Sequence, residues 1–174
     1  MYYSRIRNVK QPVRGHSTDA GIDFFVPEFD NNFVTYLKEK NQKPDFEIND
    51  EEILLYPHQS ILIPSGIKVN LERTRKELTS WEGIMLVVHN KSGVGSKKQL
   101  DRLAEVIDES YQGEIHINLV NTSNRIRSIK PNEKIIQLIL EETVYLTPQE
   151  LKEEDLYSSV SERGSGGFGH TNDK

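Results

Sequence analysis

The sequence predicts a mainly β fold, a distorted antiparallel barrel or jelly-roll-like sandwich, with short helices in two places. Three observations predict it. Short segments rich in Ile, Leu and Val recur along the chain, and several alternate apolar with polar residues, as half-buried strands do. Pro, Gly and Asn residues separate these segments at spacings that suit hairpin turns. Helical periodicity is confined to two short stretches.

The strand pattern is clearest in residues 61–63, 67–71, 84–88, 114–120 and 134–140. In the fourth of these segments, aliphatic residues alternate with His116 and Asn118. Successive side chains of a strand point to opposite faces, so we expect the aliphatic face in the core and the polar face open to a site.

Helical spacing first occurs at Phe33, Tyr36 and Leu37, which predicts a helix within residues 31–40. The residues that follow are mostly polar, as is typical of an inserted loop, and we assign residues 28–52 to an insertion. Helix-forming residues in the stretch 148–157 predict a second short helix.

The chain ends in a small, polar, glycine-rich segment, residues 158–174. We predict one domain, residues 1–157, followed by this segment as a flexible flap. A length of 174 residues is enough for one buried core.

Composition narrows the class of protein. There is no cysteine, so we expect no disulfide and a cytoplasmic location. The apolar runs are too short to span a membrane, and the formal net charge of −5 disfavours nucleic acid as a partner. A small phosphate-bearing ligand remains possible, because a local cluster of Lys, Arg and backbone N–H groups can bind it against the net charge.

Residues 163–171 are the most unusual segment of the chain, with Arg163, Phe168 and four glycines. The spacing matches a dinucleotide-binding fingerprint, but that fingerprint requires a preceding strand and a following long helix, which we do not expect here. One interpretation is a flap whose N–H groups and Arg163 contact phosphates while Phe168 stacks on a base. A disordered glycine-rich tail is the alternative.

Four other segments carry candidate chemistry. Residues 90–98 combine serines, glycines and three lysines, either an anion-binding loop or only a turn. Asp108 follows two aliphatic residues and can activate a water or cap a hairpin. Asp23 can hold a metal through water, and Gln137 is an unusual polar residue in an apolar strand. For both, hydrogen bonds that stabilise the core are the alternative.

Taken in order, these five segments resemble the five ordered motifs of the trimeric dUTPase family, and the resemblance spans residues 20–171. It implies the family's β fold, a homotrimer with shared sites, and hydrolysis of dUTP to dUMP and pyrophosphate. It also implies Mg²⁺ as cofactor and in-line attack of water on the α-phosphorus.

The resemblance implies a role for each matching residue. Asp108 stands where the family activates the attacking water, and Tyr111 where a ring packs under the deoxyribose and excludes a 2′-hydroxyl. Backbone groups near Val106 and Ile107 stand where the family pairs with the uracil edge.

The phosphate contacts implied by the resemblance involve Ser92, Gly93 and Gln137, with Lys91 beside them. Asp23 stands where the family holds Mg²⁺ indirectly through water. In the tail of a neighbouring subunit, the resemblance places Arg163 at the γ-phosphate, and Phe168 and Gly169 in the flap over the base.

The sequence departs from the family pattern at several positions. Lys91 and Lys134 stand in the places of arginines. At Lys91 this replaces a bidentate fork by a point charge, so we expect phosphate affinity to depend more on Lys97 or Lys98. Asn132 stands for a turn glycine, which Asn can replace because it accepts left-handed backbone conformations. His170 stands for a flap serine.

Two other functions are compatible with parts of the pattern. A dCTP deaminase resembles the family in fold, but its catalytic glutamate would fall at Asn118, and an amide cannot shuttle a proton. A dUTPase-like trimer that binds a regulatory protein through residues 28–52 is the second alternative.

Overall fold

A computed structural model describes residues 1–41, 46–78 and 80–165. The chain divides into two compact units, Met1–Val144 and Tyr145–Lys174, which we describe separately. The first unit contains all the strands found in the described residues. No helix in the described residues is both long enough and apolar enough to cross a membrane.

Twelve strands form in the described part of the first unit. In chain order they are β1 Tyr2–Arg5, β2 Ile22–Phe25, β3 Phe46–Ile48, β4 Ile53–Leu55, β5 Ser60–Pro64, β6 Ile67–Asn70, β7 Gly83–Asn90, β8 Leu100–Arg102, β9 Val106–Ile107, β10 His116–Asn121, β11 Arg127–Ile129 and β12 Lys134–Thr143. Two helices, α1 Asn31–Lys40 and α2 Leu71–Arg75, lie between them, and a helical turn, Val94–Lys98, follows β7.

All strand pairs are antiparallel, in four sheets. The largest has the order β2-β12-β7-β9, and the others have the orders β5-β10-β8, β11-β4-β3 and β1-β6. The predicted mainly β fold is confirmed. Within the described residues the pairing does not continue around one closed barrel.

The five strand segments predicted from the sequence all correspond to strands, with ends that differ by up to three residues. The burial of alternate residues in β10 agrees with the prediction. Ile117 and Leu119 are fully buried, whereas His116 and Asn118 are partly exposed. One face of this strand therefore belongs to the core.

Helix α1 matches the predicted range, residues 31–40, and its burial explains the match. Asp30 caps it by accepting a hydrogen bond from the Phe33 N–H at 2.8 Å, and Phe33 and Leu37 are buried. At the other end, Asn41 donates to the Leu37 carbonyl at 2.7 Å and accepts from the Leu62 N–H of β5 at 2.9 Å. The segment assigned as an insertion is thus part of the core.

The second predicted helix, in residues 148–157, is wrong. The structure has there only a single 3₁₀ turn, Glu153–Asp155. Leu151 and Leu156 are 57% and 52% exposed, so no apolar face packs against a core. A helix this short is marginal without such packing, whatever the propensity of its residues.

Candidate functional site

A buried carboxylate lies at one end of the largest sheet. Asp23 of β2 is 6% exposed, and both of its oxygens contact lysines. The Lys91 Nζ donates to Oδ1, and the Lys134 Nζ lies 3.0 Å from Oδ2. β12 pairs with β2 on one side and β7 on the other, so the sheet itself brings these three side chains together.

The two lysines set the ionisation of Asp23. Burial alone would raise the pKa of this carboxyl, but the hydrogen bonds and positive charges of Lys91 and Lys134 outweigh burial and hold the pKa below its ordinary value. Asp23 is therefore ionised at neutral pH. Lys134, noted in the sequence only as a departure from a family pattern, is a structural partner of this carboxylate.

Gln137 of β12 lies beside this cluster. It is directly opposite Asp23 in β2 and His89 in β7. Its Nε2 donates to the Asn90 carbonyl at 3.0 Å, and a Cβ added at Gly21 would lie 2.2 Å from its Oε1. Glycine is required at position 21 because the amide of Gln137 occupies the space of a side chain.

The loop after β7 is an open turn. Ser92 and Gly93 are exposed, and nothing lies within 4 Å of the position of a Cβ on Gly93. The N–H groups of Val94 and Gly95 both donate to the Lys91 carbonyl at 2.9 Å, which folds the chain into the helical turn that follows. The Ser92–Gly93 backbone is accessible to a ligand beside the Asp23 cluster.

Lys97 and Lys98 differ in their surroundings. The Lys98 Nζ donates to the Ser128 carbonyl at 2.8 Å and contacts Glu133. Lys97 is exposed. Of these two candidates for phosphate contact, Lys98 is already engaged by a carboxylate and a carbonyl.

The second group of predicted site residues follows β9. Asp108 is exposed, and its carbonyl accepts a hydrogen bond from the Tyr111 N–H at 3.1 Å. The Tyr111 hydroxyl donates to the Glu114 carbonyl at 2.8 Å, and a Cβ at Gly113 would lie 2.3 Å from that hydroxyl. The residues of this chain thus fix the ring of Tyr111, but they do not desolvate the carboxylate of Asp108.

Strand β9 lies at the end of its sheet. Val106 and Ile107 pair with β7 on one side, and within the described residues no strand pairs with the other side of β9. The side chain of Val106 is 59% exposed. An edge strand presents unpaired backbone donors and acceptors, which is the chemistry needed to read a planar base.

The buried pair of Arg7 and Glu114 was not found in the sequence. Nε and Nη2 of Arg7 lie 2.7 Å and 2.9 Å from the two oxygens of Glu114, which also accepts the Gly66 N–H at 2.7 Å. The hydrogen bonds that Arg7 donates to Glu114 raise the pKa of Arg7, and the guanidinium lies 4.3 Å from the Tyr36 ring centroid. The sequence feature that could have pointed to this pair is an acidic residue, Glu114, at the start of an apolar strand.

The two groups of predicted residues lie at opposite ends of β7. Leu86 pairs with Ile107, so the register places Asp108 opposite Met85, six residues from Lys91. At about 3.3 Å per residue this separation is roughly 20 Å. A single chain does not bring Asp108 to the Ser92–Gly93 turn.

In the second unit, Arg163 is exposed, and Gly164 has a positive φ of 54° with its N–H donating to the Ser161 carbonyl at 3.0 Å. Glycine accepts this backbone conformation without strain. Three predicted flap residues, Phe168, Gly169 and His170, lie outside the described residues.

Comparison with known proteins gives a consistent result. The dUTPase family model matches residues 49–172. The deoxyuridine 5′-triphosphate nucleotidohydrolase of Chlamydia pneumoniae is 38% identical over 130 residues, 73% of this chain and 81% of that protein. The enzyme of the same name from Fusobacterium nucleatum is 34% identical over 123 residues, 70% of this chain and 75% of that protein.

Solved structures agree in fold. The Staphylococcus bacteriophage 80alpha dUTPase with dUpNHpp is 25% identical, with a TM-score of 0.62, and covers 97% of this chain and 95% of its own. A mutant dUTPase from phage phi11 of S. aureus, described with a structural Mg(II) ion, is 21% identical with a TM-score of 0.59. That alignment covers 89% of this chain and 97% of the phage chain.

Proposed function

Because this chain belongs to the dUTPase family, we propose that it hydrolyses dUTP to dUMP and pyrophosphate, with the site divided between subunits. The observation that carries the proposal is the cluster at one end of β7. There, the open Ser92–Gly93 turn lies beside Lys91, Lys134 and Gln137. Cationic and amide donors next to an accessible backbone turn are the features of a phosphate site.

The triphosphate binds at this end of the sheet. N–H groups of Ser92 and Gly93, together with the Gln137 amide, contact the α and β phosphates, and Lys91 supplies a nearby positive charge. The support is the exposure of the turn and the position of Gln137 directly across the sheet from Asp23. Lys91 shares its charge between Asp23 and the phosphates, which a point charge on a flexible stem can do.

The nucleoside binds at the other end, on a neighbouring chain. The free edge of β9 at Val106 and Ile107 pairs with the uracil, and the Tyr111 ring packs under the deoxyribose. A fixed ring in that position leaves no room for a 2′-hydroxyl. Backbone donors and acceptors that match the uracil edge would face groups of the same kind on cytosine, donor to donor and acceptor to acceptor. The same edge therefore rejects dCTP.

Asp108 acts as the general base. Its carboxylate takes a proton from the water that attacks the α-phosphorus in line, and pyrophosphate leaves. The exposure of Asp108 in one chain supports a role at a boundary between chains, where a neighbour and the substrate desolvate it. Positioning and charge neutralisation supply most of the rate acceleration in this type of reaction.

The phosphates of the nucleotide would supply most of the ligands of a Mg²⁺ ion, which would neutralise their charge. The described residues contain no group of three or more His, Cys, Asp and Glu side chains that could hold a metal alone. Both oxygens of Asp23 contact lysines, so direct coordination by this carboxylate does not fit, and Asp23 would hold the ion through water. Mg²⁺ commonly keeps several waters and binds mainly to substrate phosphates, where it neutralises their charge.

A homotrimer, which the family resemblance implies, is an assembly that completes the divided site. Asp108 and the phosphate loop are roughly 20 Å apart along β7, too far for both to reach one α-phosphate from the same chain. Closed cyclic symmetry lets each chain give Asp108 to one neighbour and its phosphate loop to the other. The family resemblance also implies a flap, residues 158–174 of a neighbouring chain, with Arg163 at the γ-phosphate and Phe168 and Gly169 over the base.

A substrate panel tests the proposal. The full-length protein with Mg²⁺ is incubated separately with dUTP, UTP, dCTP and dTTP, and pyrophosphate and ammonia are measured. We expect pyrophosphate from dUTP and little from the other three nucleotides. Ammonia from dCTP would assign the chain to deamination, and pyrophosphate from UTP at an equal rate would refute the role given to Tyr111.

A further inference from the structure

Glu109 lies one residue beyond Asp108, and its side chain turns back to the start of β7. Its carboxylate is 10% exposed. Oε1 lies 2.5 Å from the Nε of Arg75, the last residue of α2, and Oε2 accepts the N–H of Ile84 at 3.1 Å. The side chain next to the candidate base is therefore held at two points.

The bond to Ile84 replaces a bond of the β ladder. Leu86 pairs with Ile107 and Val87 with Val106, so the antiparallel register continues to Glu109 opposite Ile84. Farther along, the Val88 N–H donates to the Glu105 carbonyl at 2.7 Å. In a continued strand, the Ile84 N–H would meet the backbone carbonyl of Glu109, but here it meets the side chain.

Because a side-chain oxygen of Glu109 takes the place of a backbone carbonyl, β9 ends without leaving the Ile84 N–H unsatisfied. The pairing stops at Ile107, and the chain leaves the sheet at Asp108. The Tyr111 N–H then donates to the Asp108 carbonyl at 3.1 Å and closes the turn. Asp108 thus lies between two fixed points, the ladder end at Glu109 and the turn closed by Tyr111.

Arg75 keeps the carboxylate of Glu109 in place. The guanidinium is 35% exposed and the carboxylate 10% exposed, so the pair is partly shielded from water. A charge-assisted hydrogen bond is shorter and stronger than a neutral one, and it fixes the orientation of the acceptor. A small residue at position 109 would free the Ile84 N–H to draw the backbone of residues 108–109 into the ladder.

We propose that Glu109, held by Arg75, is a positioning residue for Asp108. It ends the β7–β9 ladder through its side chain, so that the carboxylate of Asp108 points out of the sheet. This inference rests on the proposed function, in which Asp108 activates the attacking water. It adds two residues to which the proposed function gives no contact with nucleotide or metal.

Steady-state kinetics of the full-length protein with dUTP and Mg²⁺ separate the Ile84 and Arg75 bonds of Glu109. Glu109→Ala removes both, and we expect kcat to fall about 10- to 100-fold with KM within about twofold, since a displaced base costs rate rather than binding. Glu109→Gln keeps an acceptor for Ile84 and should retain kcat within about fivefold. Arg75→Met should fall between them.

Arg73→Met is the matched control. Arg73 lies on the same helix and contacts the Tyr2 ring, 4.1 Å from its centroid, instead of the Asp108 turn. We expect its kcat to equal that of the wild type. Equal kcat for Glu109→Ala and wild type, or equal losses for Arg73→Met and Arg75→Met, would overturn the inference.

The geometry can be tested without catalysis. Crystal structures of the wild type and of Glu109→Ala should show the backbone at Asp108 drawn toward β7 in the variant, with an Ile84 N–H bond to a backbone carbonyl. An unchanged Asp108 would overturn the inference even if the protein were inactive. Absence of pyrophosphate release by the wild type would instead refute the proposed function, so the two failures are distinguishable.

Discussion

The two ends of β7 differ in how much of the site one chain completes. At the Lys91 end, the sheet brings two lysines into contact with Asp23 and places Gln137 directly across from Asp23. At the Asp108 end, the backbone is fixed by the Glu109 and Tyr111 bonds, but the carboxylate itself is exposed. The contrast teaches that the proposed phosphate end is preorganised within one chain, whereas the proposed catalytic end requires a neighbouring chain.

Loss of the base should give the largest effect. Asp108→Asn keeps the size of the side chain but cannot accept the proton, so we expect kcat to fall by about 10³-fold or more. Binding of a non-hydrolysable dUTP analogue should change little, because the phosphate contacts lie at the other end of β7. Pyrophosphate release and calorimetric titration measure the two quantities. Full activity of this variant would remove Asp108 from the mechanism.

Mixed trimers test whether the two ends work in different chains. Asp108→Asn and Gln137→Ala variants are each purified, then unfolded and refolded together in equal amounts. A site that takes Asp108 from one chain and Gln137 from another regains both in about a quarter of all sites, given random assembly. We therefore expect about a quarter of wild-type kcat in the mixture. Activity no higher than that of the separate variants would show that each chain builds its own site.

The Arg7–Glu114 pair should dominate stability near the catalytic end. Its side chains are 14% and 6% exposed, so Arg7→Met leaves a buried carboxylate without its cation. We expect the free energy of unfolding to fall by about 3 kcal/mol, as for a buried pair that loses one partner. Urea denaturation measures it, with Lys152→Met as control, because the side chains of the Lys152–Glu154 pair are 78% and 75% exposed and should contribute little. Equal losses of unfolding free energy in the two variants would contradict the larger contribution expected of the Arg7–Glu114 pair.

The Asp23 cluster should give the smallest effect, and one that depends on pH. Folding lowers the pKa of Asp23, so its stabilisation is fully present above the unfolded pKa, about 4, and is lost as pH falls through the folded pKa. The difference in unfolding free energy between wild type and Asp23→Asn should be constant from pH 5 to 7, on the order of 1 kcal/mol, and shrink below about pH 4. A difference that grew on acidification would contradict the lowered pKa.

Local pattern was enough to identify most of the fold. Alternation located β10, the spacing of Phe33 and Leu37 located α1, and Asn132 was correctly assigned to a turn, with φ of 62°. These three predictions are correct because each depends on the backbone preference of a single residue or on which face of an element is buried. The helix expected in residues 148–157 failed because propensity without a packed face does not hold a short helix.

What the sequence alone determined about this protein is the order of its motifs, its mainly β architecture and its family, since these depend on residue type and spacing along the chain. Only the tertiary structure decided which charges meet. Lys134 with Asp23, Arg7 with Glu114 and Arg75 with Glu109 are separated by 34 to 111 residues and meet only in the folded chain, where strand register positions the first pair. The same register places Asp108 and Lys91 at opposite ends of β7, because antiparallel pairing fixes position along the strand whatever the chemistry of the side chains.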